Sequence, residues 1–160
     1  MKYICSLFVV DDIEIAKEFY TKVLGLKITN DMGENIMFEG YFSLHEREHF
    51  KDLIDNLEIK EKTNNSELYF EEDDLDELQK RLIDEGVEFV HKISEQPWRQ
   101  RVLRIYDPSY NIIEIGESLE FTAYRLWKEG LYEEEIAELL GISEEHVKEA
   151  VNQYRKEKLD

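Results

Sequence analysis

The chain states one supersecondary phrase twice. Ser6 to Ile28 reads SLFVVDDIEIAKEFYTKVLGLKI, and Glu67 to Phe89 reads ELYFEEDDLDELQKRLIDEGVEF. Each copy is a short strand-like run, an acidic pair, an amphipathic helix, a glycine and a second strand. A chain that repeats such a unit packs the copies together, so the space between copies is where a site is to be sought.

Periodicity extends the phrase into a full module. Tyr3 to Val10 reads as a strand; Asp12 caps a helix with Ile13, Ala16, Phe19, Tyr20 and Val23 on one face, and Gly25 ends it. Lys27 to Thr29, Asn35 to Glu39 and Tyr41 to Glu46 read as three strands between Gly or Asn turns, giving βαβββ. A helix over Glu48 to Leu57 and a polar linker around Thr63 to Ser66 follow. The order then returns: strand Glu67 to Phe70, helix Asp74 to Glu85, strand Val87 to Ile93, strand Arg101 to Tyr106, a DPSYN turn and strand Ile112 to Gly116.

Charge excludes several functions. Thirty-eight acidic against twenty basic residues give a formal charge of −18, which repels nucleic acid and anionic membranes. No run is long enough to span a bilayer, and the apolar start reaches Asp11 and Asp12 too soon for a signal sequence. One cysteine forms no internal disulfide, so a cytoplasmic protein is expected.

The segment FYTKVLGL after an acidic helix start, the strand-turn-strand VLRIYDPSYNIIEIGE and the paired βαβββ order resemble the vicinal-oxygen-chelate superfamily of glyoxalases, bleomycin-resistance proteins, fosfomycin-resistance enzymes and extradiol dioxygenases. The resemblance covers residues 1–118 and implies an α+β fold: two βαβββ modules, 1–57 and 66–118, forming an open barrel-like cleft. A helical extension, 119–160, completes the chain. It also implies a divalent metal held by strand residues that point into the cleft.

The resemblance places those ligands one by one. The first, often His, stands seven residues before the helix-starting Asp, which is Cys5 here. The same distance before Asp74 is Glu67, where the family commonly has His. The carboxylate six residues after the Pro of the DP turn is retained as Glu114. A further ligand comes from the fourth strand, where alternation sets Ser43 and His45 toward the cleft and Phe42 and Leu44 toward a helix.

Two readings of this set stand side by side. Cys5, His45, Glu67 and Glu114 form a chemically acceptable site, zinc being the favoured metal, with Glu114 and Glu67 as the catalytic carboxylates of a lyase or dioxygenase. Alternatively, if Val102, Arg104 and Tyr106 share the cleft, the Arg104 guanidinium neutralises the acids in place of a metal. Arg104 then serves as an ion-pair partner or holds an anionic ligand.

QPWRQR, Gln96 to Arg101, resembles a PWG-Q-R loop at the cleft mouth, with Arg99 where Gly is expected. Trp98 can stack on a ligand while Arg99 or Arg101 meets its negative group; the other reading makes Trp98 a plug for the barrel end. His91 and His49 have no spacing partner and read as surface residues, and EEDD and YEEEIAE read as solvated helix starts.

The last residues, from Arg125, resemble a helix-turn-helix with GIS at the turn. Six Lys and Arg against eleven Asp and Glu from Leu119 onward, and a second helix that starts Ser143-Glu144-Glu145, argue against DNA. Phe121, Leu126, Trp127, Leu131, Ile136, Leu139 and Leu140 form the expected apolar side, with Val147 and Val151 facing inward, sealed on the preceding domain or on another copy. The functional expectation is a homodimeric protein acting on or binding a small molecule, with metal-free sequestration as the alternative. A ligand-sensing helix-turn-helix regulator is a third reading.

Overall fold

The computed structural model describes residues 1–40 and 42–157, and of residue 157 the backbone alone. Tyr41, where the fourth strand was expected to begin, lies outside the described residues. The elements are β1 (Ser6–Val10), α1 (Ile13–Glu18, continued as a π-helical turn Phe19–Val23), β2 (Ile28–Asp31), β3 (Asn35–Phe38), β4 (Phe42–Glu46) and α2 (Arg47–Leu53). Then come β5 (Glu67–Glu71), α3 (Leu75–Asp84), β6 (Phe89–Glu95), β7 (Arg101–Tyr106), β8 (Ile112–Gly116), α4 (Leu119–Glu129), α5 (Glu133–Leu140) and α6 (Glu144–Glu157). Two four-stranded sheets result, ordered β1-β4-β3-β2 and β5-β8-β7-β6. The repeated phrase is thus a repeated βαβββ module. No helix among the described residues is long and apolar enough to cross a membrane.

The chain divides into two compact units, one of Met1–Glu67, Asp84–Glu88 and Ile105–Ile113, the other of Leu68–Ile83, Phe89–Arg104 and Glu114–Asp160. In the first, β1 runs parallel to β4, while β3 lies antiparallel to both β4 and β2. Register sets Phe8, Ile36 and Leu44 in one row and Phe38 beside Phe42. On that face Phe38 and Phe42 stack at 5.1 Å, and Tyr20 packs on both at 5.5 and 5.8 Å. The wider π turn accommodates two consecutive buried aromatics, Phe19 and Tyr20. Fully burying each such side chain is worth roughly 1.5–3 kcal/mol.

Local chemistry fixes the ends of these elements. Asp12 accepts from the amides of Glu14 and Ile15 at 2.9 and 3.0 Å, so it caps α1 as expected. The turn before β8 is organised by Asp107, which is buried and accepts from the Ser109 and Asn111 amides, the Asn111 side chain and the Tyr20 hydroxyl. Burial raises the Asp107 carboxyl above its ordinary range despite these donors. Several expected bounds shift by one to four residues. β1 starts at Ser6 rather than Tyr3, and β6 spans Phe89–Glu95. α2 stops at Leu53 because Asp55 and Asn56 adopt left-handed φ, a conformation their short polar side chains tolerate.

In the second unit, Leu75, Leu78 and Leu82 form the buried stripe of α3. The C-terminal extension is three helices, not a pair, separated by left-handed glycines Gly130 and Gly141. They enclose their own core of Ala123, Leu126, Ile136, Val147, Ala150 and Val151, with Trp127, Leu131 and Leu140 packed on it. Leu139, expected inside, is 38% exposed, because Ile136 and Leu140 take the inner positions of α5. Much of the expected apolar side is therefore satisfied within the extension itself.

Candidate functional site

The strands of the second module bring together the charged cluster of most chemical interest. Arg104 on β7 pairs through Nη2 with Oε2 of Glu114 on β8, an ion pair without hydrogen-bond alignment at that oxygen. Only 11% of the Glu114 side chain is exposed, against 26% for Arg104. Arg104 Nη1 also lies 3.2 Å from His91 Nε2. His91 Nδ1 lies 2.8 Å from the carbonyl of Lys92, which makes it the donor and leaves Nε2 to accept from Arg104. His91 is half-buried against the guanidinium rather than a bare surface residue.

The candidate ligands of the first module have other partners. Cys5, just ahead of β1, places Sγ 3.8 Å from Ser43 Oγ. Ser43 and His45 do share a face opposite Phe42 and Leu44, as strand alternation predicted, but both are buried. His45 Nδ1 faces the Asn35 amide nitrogen at 3.3 Å, so Nε2 carries the proton and donates to His49 Nδ1 at 2.9 Å. Burial first, then His49, pushes the His45 pKa below its ordinary value. His49 therefore has a partner that sequence spacing did not indicate. Glu67 is exposed.

These side chains do not make a good metal set. Glu114 faces a guanidinium, the free lone pair of His45 is taken by Asn35, and Cys5 turns to a serine. Among the described residues, no three His, Cys, Asp or Glu side chains are grouped so as to hold a metal ion. The donor set does not fit the metal that the superfamily resemblance implies.

The expected ligand contacts around QPWRQR have structural partners. Arg99 adopts φ +70°, the backbone conformation that explains why glycine is expected there. Its guanidinium is held by Glu95 at 2.7 Å, again without hydrogen-bond alignment, and by Glu129 at 2.9 Å. Trp98 is 43% exposed and donates to Gln100 Oε1 at 2.9 Å. Gln100 in turn donates to the Glu117 carbonyl at 2.6 Å. Arg101 gives Nε to Glu117 at 2.6 Å and Nη1 to Asp76 at 3.1 Å. Tyr106 donates to Asn64 Oδ1 at 3.2 Å.

Glu117 was not singled out in the sequence, yet it organises this region. It is fully buried and accepts from Arg101, Arg125 and Thr122. Arg125 donates from Nη2 at 2.9 Å, and also to the Arg99 carbonyl at 2.5 Å, so α4 is tied to β7 and the preceding loop through one carboxylate. The available signal was alternation: Ile113, Ile115 and Glu117 share one face, and a carboxylate ending an apolar row demands cations. Asp73, within the EEDD run, is likewise no mere solvated helix start. It accepts from Ser118 and from the Tyr154 hydroxyl, joining α4 and α6 to the start of α3.

Comparison with known proteins accords with this architecture. A family model described as a glyoxalase-like domain matches residues 3–120. A protein of unknown function from Agrobacterium tumefaciens str. C58 is 38% identical, over 74% of this chain and 94% of its own, with a TM-score of 0.66. A glyoxalase/bleomycin resistance protein/dioxygenase from Nocardioides is 22% identical over 73% of this chain and 83% of its own, TM-score 0.57. The lactoylglutathione lyase from Agrobacterium tumefaciens is 21% identical over 73% and 93%, TM-score 0.54. At such identities the last two are similar in fold alone. No curated protein matches the chain. With a family model spanning most of its residues and a 38% identical structure sharing the fold, the chain belongs to the glyoxalase-like domain family.

Proposed function

We propose that the protein is a metal-free small-molecule-binding member of this family, one that sequesters its ligand rather than converting it. The observation that carries this reading is the pairing of Glu114 with Arg104. Glu114 is the carboxylate that the resemblance assigns to metal binding. Here a guanidinium stands against it, and His91 accepts from the same group. A guanidinium offers a permanent charge and directional N–H donors, suited to holding an oxygen-bearing ligand; it has no open coordination position with which to activate water. The working form in this reading is a cytoplasmic homodimer that engages neither nucleic acid nor membrane. Its binding domain is 1–118, with 119–160 as a structural appendage.

The test is elemental analysis of protein purified without chelator and without a polyhistidine tag, together with unfolding in zinc and in a strong chelator. Substoichiometric metal and an unchanged midpoint in both additions are expected. One metal per chain, with a midpoint that chelation lowers, would restore the metal-dependent lyase or dioxygenase reading with Cys5, His45, Glu67 and Glu114 as ligands.

A further inference from the structure

The first unit contains a cavity lined by none of the candidate ligand or catalytic residues above. It measures about 470 Å³ and runs along β1, bounded by the linker 59–66 and the turn before β8. That volume lies within the roughly 300–1,000 Å³ typical of small-molecule sites. Its lining carries three cations, Arg47, Lys60 and Lys62, against one acid, Glu61, in a chain of formal charge −18. Asp11 and Glu88 pair with Arg47 and Lys62 from outside the lining, so three cations meet three acids here, a local balance in a chain otherwise rich in acids, with Lys60 outside those pairs.

The linker is held over this space by defined contacts. Arg47 pairs with Asp11 and donates from Nη1 to the Ile59 carbonyl at 3.1 Å, while its Nη2 lies 3.6 Å from Glu61, beyond hydrogen-bond reach. Lys62 Nζ lies 4.0 Å above the Tyr110 ring and 4.9 Å above Tyr106, and pairs with Glu88 at 3.2 Å. Lys60 is exposed and takes part in none of these pairs among the described residues. Ser109 Oγ accepts from the Asp11 amide, which leaves its hydroxyl hydrogen to donate.

Backbone conformation singles out the same place. Lys62, Asn64 and Tyr110, all in the lining, have φ of +47°, +54° and +64°. Such geometry is strained for a Lys or Tyr, and strain of this kind gathers at ligand sites.

We propose that this cavity is a binding site for a small oxyanion, a carboxylate or phosphate group on a compact metabolite. Lys60 and Lys62 supply the charge, and Ser109 with the Asn64 amide supplies directional donors. Neither Arg104 nor Glu114 lines it, and the proposal does not depend on whether those residues bind a ligand.

Calorimetric titration with inorganic phosphate and with succinate, each compared with sodium chloride at matched ionic strength, tests the proposal. At least one oxyanion saturates, and Lys60→Glu weakens it about tenfold or more, because an exposed charge is reversed without disturbing a fold contact. Amide resonances of residues 60–66 and 109–111 shift in the same titration, and the same charge reversal at exposed Lys80, outside the lining, leaves the affinity unchanged. Saturation by phosphate alone assigns a phosphate ester, and by succinate alone a carboxylate. No saturation beyond the chloride control, or equal affinity in the Lys60→Glu protein, overturns the site.

Discussion

Replacing Glu117 by alanine removes the acceptor shared by two arginines at the root of α4. The carboxylate is fully buried, whereas Arg101 and Arg125 keep 25% and 16% of their side chains exposed. Breaking a buried pair costs about 3–5 kcal/mol because the remaining partner is stranded. Here each stranded guanidinium retains a second carboxylate, Asp76 for Arg101 and Glu129 for Arg125. The expected loss therefore lies near the lower bound, about 3 kcal/mol. For a chain of this size that corresponds to a fall in midpoint of roughly 6–12 °C. Glu117→Gln keeps the shape and one acceptor oxygen, and should lose about half as much. Urea unfolding followed by far-ultraviolet circular dichroism and tryptophan fluorescence reads both variants. Amide exchange in α4 should accelerate in Glu117→Ala more than in β3 and β4, since the carboxylate ties that helix to the strands. A loss under about 1 kcal/mol, the scale of an exposed ion pair, would refute the argument that this carboxylate anchors the extension.

Two further outcomes follow from the other charged groups. Arg104→Ala strands the buried Glu114 and should cost about 2–4 kcal/mol, while the Arg104→Ala/Glu114→Ala double variant costs less than the single one; a double variant at least as unstable would deny the pairing. His45, depressed by burial, binds protons less readily folded than unfolded, so its contribution to stability is complete above about pH 6.5 and is lost as pH falls through the folded value. His45→Gln should flatten the decline in stability between neutral pH and about pH 5, and a parallel decline in both proteins would place the titration elsewhere.

Much of the architecture was written in local chemistry. The cap at Asp12, the stripe Leu75, Leu78 and Leu82, and the alternation that opposes Phe42 and Leu44 to Ser43 and His45 depend only on neighbours a few residues apart. The DPSYN turn needed no more than an Asp whose own backbone supplies donors, since Ser109 and Asn111 satisfy Asp107 from within the turn. Even the oddity of Arg99 was visible as a departure from glycine, though its compensation by Glu129, thirty residues on, was not.

What the sequence by itself determined, then, is the repeated βαβββ order, the family fold and the identity of the charged residues available to it. The tertiary structure alone decided how those charges are used: Glu114 against Arg104, Arg101 and Arg125 around Glu117, His45 against His49, Arg47 against the linker at Ile59, and Lys62 of the linker over Tyr110. The physical reason is range. Periodicity and capping are set by contacts along the chain, whereas a carboxylate's role depends on which cation shares its desolvated surroundings, and that partner is chosen only when distant strands and helices pack.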